Sequence, residues 1–135
     1  MTRGDVPIEI VLLGATLLLA LFQILIAAQA RTRQYGAKWN MGARDETMPA
    51  LDPLPARLLR AQANLFETLP LFIGAVLAAA VTGRLGVLTS LGAHLYFFGR
   101  LIYLPLYAFG VPYLRTIIWT IATAGLVMVI VALFV

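Results

Sequence analysis

Four apolar stretches separated by short polar segments constrain this chain more than any other feature. The first stretch, Val6 to Ala30, is long enough to cross a bilayer, because about 20 apolar helical residues span the hydrocarbon core. Hydrophobic residues make up 61% of the 135 residues and charged residues only 12%, far from the soluble average. We therefore predict an all-α integral membrane protein, a bundle of four transmembrane helices. The predicted helices occupy about 6–30, 54–81, 87–109 and 113–135, and the chain, 1–135, forms a single membrane domain.

The predicted connection over residues 31–53 indicates the orientation of the chain in the membrane. It carries Arg31, Arg33, Lys38 and Arg44, and Arg115 follows the last predicted turn. Positive charge concentrates in cytoplasmic loops of membrane proteins. We therefore expect this long loop to be cytoplasmic and both termini to lie on the opposite side.

The composition excludes several kinds of site. The chain has no cysteine, which excludes disulfides, thiolate metal sites and an enzyme-borne thiol nucleophile. The single histidine, His94, excludes a bis-histidine haem within one chain, and we expect a packed, hydrogen-bonded side chain there and no metal site. The net charge of +4 is spread over loops and helices, so membrane topology explains it and no nucleic-acid partner is predicted.

Glu9 lies near a helix end, where we expect it to reach the lipid headgroups.

One stripe of polar residues stands out inside the second apolar stretch. Arg57, Arg60, Asn64 and Glu67 follow at i, i+3, i+7 and i+10, so they share one face of a helix. Ionisable groups inside a membrane are costly and usually point into a protein interior or a wet cavity. The stripe indicates either a functional site or a structural ion pair with an amide that holds helices together.

A second stripe lies on the third predicted helix. Tyr96, Arg100, Tyr103 and Tyr107 follow at i, i+4, i+7 and i+11, again on one face. Tyrosines near membrane ends are often interface anchors. That interpretation suits Trp119 and is weaker for Tyr103, which shares its face with a buried arginine.

The two stripes together favour an anionic ligand. Guanidinium groups exceed carboxylates in this half of the predicted bundle, and they suit bidentate contacts to carboxylates; they are Arg31, Arg60, Arg100 and Arg115. Glu67 could hold an ammonium group, and Asn64 and Gln62 could contact amides. Gln62 points about 160° away from Arg60 around the helix, which favours a site between subunits. Glutathione has two carboxylates, one ammonium group and several amides, which complement these side chains.

Four segments resemble the MAPEG family, the membrane-associated proteins in eicosanoid and glutathione metabolism. RAQANLFETLP, residues 60–70, resembles the family signature Arg-x-x-x-Asn-x-x-Glu followed by proline. GRLIYLPLY, residues 99–107, is similar to the family's third helix, and QARTR, residues 29–33, is similar to the exit of its first helix. VPYLRTIIW, residues 111–119, resembles prokaryotic members.

The resemblance implies a homotrimer in the membrane lipid, with glutathione as co-substrate bound between subunits and open to the cytoplasm. It implies that Arg115 activates the glutathione thiol for attack on a lipophilic electrophile or hydroperoxide, a transferase or peroxidase reaction of detoxification. A bacterial member would lie in the inner membrane. The residues implied to contact glutathione are Arg31, Arg60, Asn64, Glu67, Tyr103 and Tyr107, with Gln62 contributed by the adjacent subunit.

Two other functions stay open from the sequence. The family includes a non-catalytic lipid-binding or scaffold member, and fold alone does not determine function. A small four-helix transporter could use Glu9 or Glu67 as its membrane carboxylate, although transporters place their sites near the bilayer midplane.

Overall fold

A computed structural model of the protein describes residues 4–135, so residues 1–3 of the predicted domain lie outside it. Within this range the chain forms helices only, and four of them are long and apolar enough to cross a membrane. The predicted all-α membrane bundle of four spanning helices is confirmed. The helices are α1 (Ile8–Tyr35), α2 (Ala37–Met41), α3 (Pro53–Val81), α4 (Val87–Ala108) and α5 (Leu114–Val131).

The first helix extends beyond the predicted 6–30. α1 continues to Tyr35 and ends at Gly36, whose φ of 95° lies in the left-handed region that favours glycine. The apolar run stops at Ala30, but helical hydrogen bonds are local and continue into polar sequence. The predicted loop over 31–53 is therefore partly helical, since it holds the end of α1 and all of α2, and its irregular part is confined to Gly36 and residues 42–52.

The long helices alternate in direction, so the bundle has two distinct ends. We call the end that carries residues 36–52 and the α4–α5 turn (109–113) the loop end. The other end carries the α3–α4 turn (82–86) and both ends of the described chain, and we call it the termini end. Polar side chains gather at both ends of the bundle, and they have different neighbours at each end.

Small residues bring α4 and α5 into close contact. Gly92 faces Gly125, and a Cβ placed on Gly125 would lie 2.5 Å from the backbone oxygen of Gly92. About two turns further along α4, a Cβ on Gly99 would lie 2.7 Å from the Cβ of Ala122 in α5. Small residues at such positions allow the backbones of membrane helices to approach closely. These contacts hold the middle of α4 against α5.

The interior of the bundle is apolar along most of its length. Leu65, Phe72 and Val76 of α3 are fully buried and belong to one cluster with Tyr96 of α4. Large apolar side chains such as that of Leu18, which is 69% exposed, cover the outer surface. An apolar exterior of this kind is what lipid contact requires, because the bilayer core offers no hydrogen bonds.

Candidate functional site

A cavity of about 330 Å³ at the loop end is lined by three arginines. Arg57 and Arg60 lie one turn apart on α3, and Arg115 lies in the first turn of α5. Tyr107 of α4 and the turn residues Gly110, Val111 and Pro112 complete the lining. No acidic residue among residues 4–135 lines the cavity, so its potential is positive and suits an anionic ligand.

Tyr107 lies between two of these arginines. The Nε of Arg60 donates a hydrogen bond to the Tyr107 hydroxyl over 3.1 Å. The Cζ of Arg115 lies 4.7 Å from the centre of the Tyr107 ring, and that of Arg60 lies 5.9 Å from it. A cation near an aromatic face is attracted by the ring quadrupole. The tyrosine therefore offsets part of the repulsion between two guanidinium groups.

Arg57 lies against the α4–α5 turn. Gly110 has a φ of 68°, and a Cβ added there would come within 2.9 Å of the Arg57 Cζ. The absence of a side chain at Gly110 thus leaves space for the Arg57 guanidinium. The polar stripe includes Arg57, but the sequence does not predict it as a binding residue. Its neighbour across the cavity is the α4–α5 turn, and helix periodicity does not predict where that turn lies.

A second cavity, of about 190 Å³, adjoins the first. Its lining comes from Asn64 of α3, Tyr103 of α4 and Arg115, Thr116 and Trp119 of α5. Arg115 therefore lines both cavities. Trp119 was expected to be an interface anchor; the structure places it half-buried in this lining.

Arg100 supports the second cavity from within the bundle. Its side chain is 1% exposed, and its Nη1 donates a 2.8 Å hydrogen bond to Oδ1 of Asn64. Its Cζ lies 4.4 Å from the centre of the Tyr103 ring. Within residues 4–135 its Nε and Nη2 have no hydrogen-bond partner. Arg100 thus orients Asn64 and Tyr103, which are themselves predicted binding residues.

Besides Arg100, which is also a predicted binding residue and lines neither cavity, three predicted binding residues lie outside both cavities of the single chain. Arg31 lies beside α2, with its Cζ 5.5 Å from the centre of the Trp39 ring, and its Nε is buried without a partner in the described part of the chain. Glu67 is exposed and Gln62 half-buried on α3. The structure therefore brings together Arg60, Asn64, Arg100, Tyr103, Tyr107 and Arg115, whereas Arg31, Gln62 and Glu67 line neither cavity.

Two further residues singled out by the sequence lie at or near the termini end. Glu9 does not reach the headgroups as expected: its side chain is 4% exposed, and that expectation is wrong. It accepts a hydrogen bond from Thr89 of α4, a neighbour that the sequence could not identify. His94 is hydrogen-bonded to the backbone oxygen of Ser90 over 2.7 Å, which confirms the expected packed histidine.

Comparison with known proteins places the chain in a family. The family model described as "MAPEG family" matches residues 12–135, nearly the whole chain. A search of curated proteins found no match, and neither did a search of solved structures. The match begins within α1 and includes the other three long helices and both cavities. The chain belongs to the MAPEG family, and it is an integral, multi-pass membrane protein of that family.

Proposed function

We propose that the protein is a glutathione-dependent transferase or peroxidase that acts on lipophilic electrophiles or hydroperoxides in the membrane. The observation that carries this proposal is the position of Arg115, whose side chain lines both cavities. One cavity has the charge for an anionic peptide, and the other has the size for a small apolar substrate. A group that lies between them can act where two substrates meet.

The sizes of the cavities support this assignment. Small-molecule sites are about 300–1,000 Å³, and the arginine-lined cavity of about 330 Å³ falls in that range. A dry cavity of about 150 Å³ is enough for benzene. The second cavity, of about 190 Å³, therefore has room for one aromatic ring or another small reactive group. Guanidinium groups bind carboxylates with bidentate hydrogen bonds, and glutathione carries two carboxylates.

Arg115 would act on the glutathione sulfur by electrostatics. A thiol of pKa about 8.5 is mostly protonated at neutral pH. A nearby guanidinium in a site of low dielectric favours the thiolate. Arg115 also lies in the first turn of α5, where the helix dipole favours negative charge in the same way.

The resulting chemistry balances for both substrate classes. With a halogenated aromatic electrophile, the thiolate sulfur forms a bond to carbon, the halide leaves, and the thiol proton goes to solvent. With a hydroperoxide, two glutathione molecules are oxidised to the disulfide while the hydroperoxide is reduced to an alcohol and water. In both reactions Arg115 stabilises the thiolate before the attack.

The proposal includes a homotrimer with the site between neighbouring subunits. Arg31, Gln62 and Glu67 lie outside the cavities of one chain, so a second copy of the chain would have to supply such contacts. The loop end would face the cytoplasm, because the arginines and lysines of the described chain lie at or near it, except Arg84 and the buried Arg100. For a bacterial protein, we propose the inner membrane.

Conjugation of glutathione to chlorodinitrobenzene by the purified protein tests the proposal. We expect turnover by the wild type, and a loss of about 100-fold in Arg115→Ala, the usual scale for removing one group that stabilises developing charge. Arg33→Ala is the matched control, because Arg33 is exposed in the last turn of α1 and lines neither cavity. It should retain wild-type turnover.

Three results would contradict parts of the proposal. Equal rates for wild type and Arg115→Ala, both at the uncatalysed background, would refute catalysis. Glutathione binding by calorimetry without any turnover would favour a non-catalytic binding protein. A monomer in mild detergent that still binds glutathione with full affinity would refute the site between subunits.

A further inference from the structure

The termini end of the bundle holds a buried carboxylate that the proposed reaction does not use. Glu9 lies in the first turn of α1 and is 4% exposed. It is buried because α1 packs alongside α4, whose first turn presents Thr89, a fully buried residue. The proposed glutathione site lies at the loop end, at the other side of the bundle.

Neutral groups alone hold this carboxylate within the described part of the chain. The Thr89 hydroxyl lies 2.6 Å from Oε1 of Glu9 and 3.0 Å from the Gly86 carbonyl oxygen, and its single proton favours the nearer acceptor. The same hydroxyl accepts the Gly86 backbone N–H over 2.8 Å. The turn before α4 therefore fixes the position of Thr89, and Thr89 fixes the position of Glu9.

No arginine or lysine within residues 4–135 bonds to Glu9. Arg84 is the only such cation that the described chain places at this end, and its Nη1 donates to the backbone oxygen of Val135 over 3.0 Å. Burying a carboxylate without a countercharge costs several kcal/mol on the order-of-magnitude scale for desolvated ions. A cation from outside the described residues would relieve this cost.

Glu9 lines a pocket of about 670 Å³ that opens between α1, the α3–α4 turn and α4. Most of its lining is apolar, and the polar members besides Glu9 are Ser90 and His94; the apolar side chains are Ile8, Leu85, Val87 and Leu91. The His94 Nδ1 is engaged with the Ser90 oxygen, so the neutral ring presents Nε2 as an acceptor. The pocket thus offers hydrogen-bond acceptors and apolar surface.

We propose that this pocket binds a lipophilic ammonium compound, with the ammonium group at Glu9 and the hydrocarbon chain along the apolar lining. The carboxylate attracts a cation and repels anions, and an ammonium group has N–H donors for it. The volume lies within the range of small-molecule sites. An anionic amphiphile would place like charges together, and a neutral one would leave the carboxylate without a countercharge.

Binding of dodecylammonium at neutral pH tests the proposal, with the full chain in a neutral detergent and calorimetry as the measurement. Glu9→Gln keeps the shape of the side chain and an oxygen for the Thr89 hydroxyl, but removes the charge. We expect wild type to bind dodecylammonium at least tenfold more tightly than Glu9→Gln. Dodecanol, which has the same chain length and no charge, should bind both proteins equally weakly.

A second variant keeps the test decisive if Glu9→Gln does not fold. Leu91 is 51% exposed on the rim of the pocket, so Leu91→Trp reduces the space for the ligand without touching Glu9. It should also lower the affinity at least tenfold, with an unchanged circular dichroism spectrum. Equal dodecylammonium affinity in wild type and the folded variants would overturn the proposal, as would dodecanol binding as tightly as the amine.

Discussion

The hydrogen bond between Asn64 and Arg100 should matter to stability more than any other polar contact within the bundle. Arg100 is 1% exposed, and within the described residues only Nη1 of its guanidinium nitrogens has a hydrogen-bond acceptor, Oδ1 of Asn64 at 2.8 Å. Nε and Nη2 are buried without partners among residues 4–135. Asn64→Leu keeps the approximate volume of the side chain and removes the one acceptor.

The expected cost follows from the charge of the donor. A hydrogen bond to a charged group contributes about 1.5–3 kcal/mol, and its loss here leaves a buried guanidinium with no acceptor in the described chain. Asn64→Leu should therefore destabilise the bundle by about 3 kcal/mol, at the upper end of that range. The double variant Asn64→Leu with Arg100→Met removes both the donor and the acceptor. It should recover most of the loss, because replacing both partners by apolar groups is often nearly neutral.

Unfolding in mixed micelles of mild detergent and dodecyl sulfate, followed by circular dichroism, measures these changes. Asn64→Asp is a matched control, because it keeps an acceptor for Arg100. It should be at least as stable as wild type, whereas Asn64→Leu should be less stable. If Asn64→Leu unfolds at the wild-type midpoint, or if the double variant is no more stable than the single one, then Arg100 does not depend on Asn64 and the reasoning is refuted.

Two other substitutions have definite expected outcomes. Gly125→Ala should destabilise the protein by about 1–3 kcal/mol in the same unfolding assay, because its Cβ would overlap the Gly92 backbone. Gly74→Ala is its control: nothing lies within 4 Å of the added Cβ, so it should be neutral or slightly stabilising. In the proposed reaction, Tyr107→Phe removes the acceptor of Arg60 Nε but keeps the ring. It should raise the glutathione KM roughly threefold to tenfold with little change in kcat; an unchanged KM in steady-state assays would show that this contact does not support binding.

Helix geometry explains which of the predicted binding residues lie close together in the structure, while their role in binding stays a prediction. Arg60 and Asn64 share a face of α3, and Arg100, Tyr103 and Tyr107 share a face of α4, as helix periodicity requires. The structure then joins the two faces through the Arg60–Tyr107 and Arg100–Asn64 hydrogen bonds. Periodicity within one helix says nothing about which face of a second helix lies opposite.

Helix periodicity does not predict the surroundings of Arg57, Trp119 and Glu9. Arg57 lines the cavity because the α4–α5 turn passes over it at Gly110, and Trp119 lines the other cavity because α5 packs closely on α4. Glu9 is buried because α4 supplies Thr89. In each case the deciding neighbour is distant in sequence, so only packing brings it into contact.

The sequence by itself determined that this chain crosses a membrane four times, since length and hydropathy of each segment suffice for that conclusion. It also determined which polar residues share a helix face, because the helical repeat is a local property. The tertiary structure alone decided that Arg115 lines two cavities, that Arg57 belongs to one of them and that Glu9 is buried at the opposite end. Those facts depend on contacts between helices, which are set by side-chain packing across the whole bundle and not by any single segment.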